Sequence, residues 1–133
     1  MGVTKRVLLW VMGGFYVVAG MNHFLNAEAY IAIMPTYLPW HGQLVFLSGL
    51  GEVALGIGVL IPTTRVVSAW GIILLLILIF PANLYVAMND LAYFGGEPNT
   101  LLNWLRLPFQ LVLIAWAYGY TKPALPEPVV SPT

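Results

Sequence analysis

The chain has 133 residues, of which 60% are hydrophobic and 8% charged, with five Lys or Arg against five Asp or Glu. An ordinary soluble domain carries about 25% charged residues, and a fold of this size could not hide so much apolar surface from water, so the composition points to an integral membrane protein. Zero net charge without a basic run argues against a nucleic-acid partner, and the lack of cysteine removes disulfides, thiolate catalysis, Fe–S ligation and thiol redox chemistry.

Hydropathy and breakers predict four spans, at residues 5–24, 43–61, 65–88 and 101–120. Each is close to the roughly 20 residues that cross a bilayer core, and the alternation of a membrane β-barrel is absent. The expected fold is all-α, a polytopic membrane four-helix bundle over residues 1–122. The first span, KRVLLWVMGGFYVVAGMNHF, reads as a retained helix and not a cleaved signal: its apolar run is long, and the AEA motif at Ala27–Ala29 lies far from it. The loop after it, AEAYIAIMPTYLPWHG, carries Tyr30, Tyr37 and Trp40 and is broken by Pro35 and Pro39. It predicts a short interfacial helix followed by a turn. The second span holds SGLGEVALGIGVLIP, apolar and glycine-rich except for Glu52. A short IPTT connection makes spans two and three antiparallel neighbours. Pro81 in span three and Pro108 in span four should each loosen the helix and free a carbonyl for a partner. Residues 123–133, rich in proline, read as a flexible tail.

The positive charges give an orientation. Lys5 and Arg6 precede span one, Arg65 lies between spans two and three, and Lys122 follows span four. All four fall on one side if the spans alternate, whereas the opposite loops carry Glu28, Asp90 and Glu97 and no Lys or Arg. This pattern puts both termini in the cytoplasm, with a bacterial inner membrane the expected location.

Counting ~1.5 Å of rise per residue puts the polar intramembrane groups in the outer half: Asn22 and His23 on span one, Glu52 on span two, Asn83 on span three, Arg106 and Gln110 on span four. Ser48, Glu52 and Gly56 share one face, as do Asn103, Arg106 and Gln110. A charge at mid-membrane costs about 2.5–3.5 kcal/mol on insertion scales. The simplest arrangement turns these faces inward and makes Glu52 the counter-ion of Arg106. Each residue also has a structural reading. The pair could fix helix register, the asparagines could be interhelical glue, His23 could bond headgroups or a loop carbonyl, and His41 could be interfacial. Two histidines, both on the outer side, do not make a paired axial haem set. Nothing in the spacing of His23, His41 and Glu28 argues for a metal.

The order GMNHFLN…MPTYLPW (Gly20–Trp40), LSGLGEVALGIGVLIPTTR (Leu47–Arg65), FPANLYVAMND (Phe80–Asp90) and NWLRLPFQ (Asn103–Gln110) resembles the DoxX family of small membrane proteins over about residues 5–122. The resemblance implies a four-helix membrane bundle and marks His23, Glu52, Asn83 and Arg106. That family takes its name from a subunit of a thiosulfate:quinone oxidoreductase, and some of its members are linked to oxidoreductase complexes or act as assembly factors. Three functions are therefore open. The first is a quinone-linked or oxidoreductase-complex membrane subunit with a polar pocket in the outer half, to which a redox partner protein or the ligand must supply electrons because the chain has no electron carrier of its own. The second is a non-enzymatic scaffold or assembly factor. The third is a small-molecule or lipid binder or transporter, which would have to be a homo-oligomer.

Overall fold

In the computed structural model, which describes residues 2–92 and 99–122, four long helices and one short one account for the architecture. They are α1 (Val3–Leu25), α2 (Ala27–Ala32), α3 (His41–Leu60), α4 (Arg65–Met88) and α5 (Thr100–Tyr118). All but α2 are long and apolar enough to cross a membrane. Their limits lie within two residues of the expected spans. The loop between α1 and α3 contains the expected short helix, α2, which rests on α3 and on the end of α1. The expectation of a flexible tail at 123–133 falls outside the described residues, as does Glu97.

The closest helix pair is α1 with α3, and its sequence explains why. The buried positions of α1 include Leu9, Gly13, Tyr16 and Gly20; those of α3 are Val45, Gly49, Glu52, Gly56 and Val59. Both sets advance in alternating steps of four and three, the repeat that keeps one seam in register between two helices. A side chain at Gly20 would meet the backbone oxygen of Gly49, and one at Gly56 the backbone oxygen of Gly13. The helices thus touch backbone to backbone at two glycine layers, the usual way for membrane helices to gain packing where no hydrophobic force drives them together. Between those layers, the register puts Tyr16 of α1 against Glu52 of α3.

At the far end of α3, Arg65 closes the short turn. Its Nε donates to the Val59 carbonyl (2.9 Å) and its Nη2 to that of Leu60 (3.2 Å). These are carbonyls of the last helical turn, where a cation is favoured. Packing proceeds from α1 to α3, α3 to α4 and α4 to α5; among the described residues, the backbone of α5 does not approach that of α1. Instead Tyr120, just past α5, donates its hydroxyl to the Lys5 carbonyl (2.8 Å). That bond ties the two ends of the described chain together on one face of the bundle. The dry core, with Leu9, Met12, Val59, Ile72, Leu76 and Ala117, fills the half of the bundle nearest that tie.

Candidate functional site

The other half is hollow. A cavity of about 680 Å³ lies among α1, α3, α4 and α5, with Tyr30 of α2 at its edge. Asn22, His23, Glu52, Asn83, Arg106 and Gln110 all line it. Most of the remaining wall is aliphatic or aromatic, from residues such as Phe15, Leu76, Ile79, Phe109 and Leu113. Proximity of these six groups follows from their depth: Asn22, His23, Asn83 and Arg106 sit in the same half of their helices, and Glu52 and Gln110 close to the middle of theirs.

Glu52 is 7% exposed. Its ionic contact is with His23, whose Nδ1 lies 3.3 Å from Oε2, and not with Arg106 as the sequence led one to expect. The reason is the packing order. His23 and Glu52 belong to the glycine-paired helices, whereas Arg106 is on α5, which packs on α4 and not on α3. His23 holds its own helix as well: Nδ1 donates to the Ala19 carbonyl at 2.8 Å, because a carbonyl can only accept. That N–H is therefore spent, and Oε2 of Glu52 has no hydrogen-bond partner among the described residues. In the neutral imidazole the same bond leaves Nε2 as the acceptor.

The His23 ring is stacked on Tyr30, with centroids 4.0 Å apart and planes 14° from parallel. Tyr30 in turn accepts a hydrogen bond from the Asn22 amide (2.8 Å). Burial pushes the Tyr30 phenol above its ordinary range; the Asn22 bond works the other way, while Glu52 raises it and Arg106 lowers it. Tyr30 thus feels both charges of the site. On the opposite wall, Asn83 of α4 donates to Gln110 Oε1 on α5 (2.7 Å), and the Gln110 amide donates to the Leu76 carbonyl. Pro81 deprives the neighbouring Ile77 carbonyl of its helical donor, so α4 is loosened just where Gln110 reaches in. Asn83 and Gln110 together thus bond α4 to α5, the interhelical role that was open to Asn83.

Asn103 shares the Gln110 face but lies outside the cavity lining; it is buried and donates to the Leu91 carbonyl (2.8 Å). His41 donates from Nε2 to the Pro35 carbonyl (3.0 Å) and so holds the loop over α3. Tyr16 was not anticipated. It is 2% exposed, lines the cavity, and its hydroxyl has no hydrogen-bond partner among the described residues. The available signal was its spacing, seven residues before His23 on the same helical face. A buried hydroxyl or carboxylate oxygen left without a partner costs about 1–3 kcal/mol or more, so the Tyr16–Glu52 layer concentrates unspent hydrogen-bonding capacity at the cavity wall.

A small polytopic membrane bundle, dry at one end and hollow with a polar-lined cavity at the other, is the class that fold and site define. The chain belongs to the family described as domain of unknown function DUF8561, whose model matches residues 12–121 and so spans every residue of the cavity. No curated protein and no solved structure matches the chain.

Proposed function

We propose that this protein is a DoxX-like membrane subunit that holds a quinone-class molecule in the outer half of its bundle and serves an oxidoreductase complex. The observation that carries this reading is the cavity itself, apolar over most of its wall and carrying a few polar groups, two of them buried without a hydrogen-bond partner among the described residues. Sites for small amphipathic molecules have this build, and ionisable side chains inside a membrane generally mark function.

In this reading Arg106 and Asn83 hydrogen-bond a carbonyl oxygen of the head, and Glu52 or Nε2 of His23 takes up a proton. Oxidation of a quinol to a quinone releases two protons and two electrons. The side chains can relay the protons; the electrons pass to a partner protein, since none of these residues is an electron carrier. The positive-inside pattern of Lys5, Arg6, Arg65 and Lys122 supports cytoplasmic termini, with the cavity toward the outside of a bacterial inner membrane.

Native mass spectrometry with lipid and quinone extraction, on gently purified wild type and Arg106→Ala, tests the reading. The expected result is a small lipid-soluble molecule on wild type, depleted in the variant. Wild type that is empty both in mild detergent and in nanodiscs would leave His23–Glu52 as a structural contact in a scaffold or assembly factor.

A further inference from the structure

Resting on that reading of the cavity, we infer that its occupant lies head-inward, with a neutral oxygen-bearing head seated on Tyr16 and Glu52 and an apolar tail leaving sideways between α1 and α5. Three observations fix this orientation.

The first is where the unspent hydrogen-bonding atoms are. The Tyr16 hydroxyl and Glu52 Oε2 are both deeply buried, both in the cavity wall and both without a hydrogen-bond partner among the described residues. The helix register makes the two residues neighbours along the α1–α3 seam. A phenol can donate or accept, and a carboxyl group accepts when ionised and donates when protonated. The pair can therefore hold a hydroxyl or a carbonyl oxygen, the two states of one quinone-class head.

The second is depth. Tyr16 lies ~20 Å along α1 from Val3 and Glu52 ~16 Å along α3 from His41, each near the middle of its span. A phosphate or other permanently charged head is poorly tolerated at that depth and would remain near Arg106, toward the membrane surface. A neutral head can reach the layer.

The third is the open side. Helix packing runs from α1 through α3 and α4 to α5, and among the described residues the backbones of α1 and α5 do not come close to each other. The hydrogen bond from Tyr120 to Lys5 holds these two helices together at the opposite end only. Along the hollow half, the cavity wall includes exposed apolar side chains from both helices: Phe15, Val18 and Met21 of α1 and Phe109 of α5. A tail there meets lipid, so the molecule can come and go within the bilayer without crossing water.

The test uses the full chain in nanodiscs with a decyl-tailed benzoquinone, and its quinol, bearing a photoactivatable diazirine at the end of the tail. Expected are light-induced adducts on Phe15, Val18, Met21 or Phe109, and at least tenfold weaker retention of the probe by Tyr16→Phe. That variant deletes one oxygen with no hydrogen-bond partner among the described residues, so it keeps the fold. Trp10→Leu, on the lipid-facing side of α1 outside the cavity, should retain the probe as wild type does. Retention that falls in Arg106→Ala but is indifferent to Tyr16→Phe would overturn the head-inward placement and leave the cavity reading standing. Adducts confined to outward residues of α3 and α4, such as Leu50 and Leu78, would do the same. Wild type that retains neither probe nor a copurified molecule would overturn both.

Discussion

At the scale of single residues, Glu52 is the informative case. A carboxylate among glycines and aliphatics was visible at once as a cost that something must offset. Its partner was not, because the choice between His23 and Arg106 depends on which helices touch, and that is set by small residues on α1 that look like ordinary membrane packing. The His23 contact offsets little, since histidine is charged only when protonated and its Nδ1–H already serves Ala19. We expect Glu52→Gln, which keeps the shape and removes the charge, to stabilise the ligand-free protein by about 1 kcal/mol while weakening ligand retention. Thermal unfolding in detergent after delipidation checks the first half; a lower midpoint would make Glu52 a structural residue. Gln110 should behave oppositely. It joins Asn83 to the Leu76 carbonyl through two bonds, so Gln110→Leu leaves polar groups of α4 behind in an apolar wall. A loss of about 1–3 kcal/mol is expected, read in the same unfolding experiment.

At the scale of elements, the spans were legible because length and apolarity alone define a membrane helix. The short α2 was legible because Pro35 and Pro39 break the chain after it and Tyr30, Tyr37 and Trp40 mark an interfacial stretch. The α1–α3 seam was only half legible. The stripe of Ser48, Glu52 and Gly56 could be read from one helix, but its glycines acquire meaning only against Gly13 and Gly20, and nothing in the sequence pairs residues across a loop. Two glycines of α1 separate the packing role from helix propensity. A Cβ at Gly20 would lie 2.5 Å from the Gly49 oxygen and 2.8 Å from the Val53 nitrogen, both backbone atoms that cannot yield. At Gly14 a Cβ would meet nothing within 4 Å. Gly20→Val should therefore force α1 from α3 and cost about 2 kcal/mol or more, in the range of overpacked cores. Gly14→Ala should be neutral or stabilising by up to about 1 kcal/mol. Unfolding midpoints of the two variants, measured side by side, check this; similar losses for both would mean that the seam is softer than its backbone contacts require.

At the scale of the whole molecule, the division into a dry half and a hollow half follows from where the chain places its polar groups. Lys5, Arg6, Arg65 and Lys122 mark the dry end, where Arg65 also caps α3 and Tyr120 ties the ends of the bundle. One arginine thus serves both turn geometry and topology. If these charges orient the protein as the positive-inside rule requires, the cavity faces away from the cytoplasm, and any partner that takes electrons from it must reach that side or the membrane itself. The absence of cysteine makes orientation directly measurable, because a single introduced thiol reports without background. Thr36→Cys sits in the exposed loop beside the hollow end, and Gly2→Cys at the dry end. With a membrane-impermeant maleimide, intact cells should label Thr36→Cys at once and Gly2→Cys only after permeabilisation. The reverse pattern would turn the bundle over and bring the cavity toward cytoplasmic redox partners. Labelling of both in intact cells would mean that the bundle inserts in two orientations, so that four positive charges against none are too few to decide it.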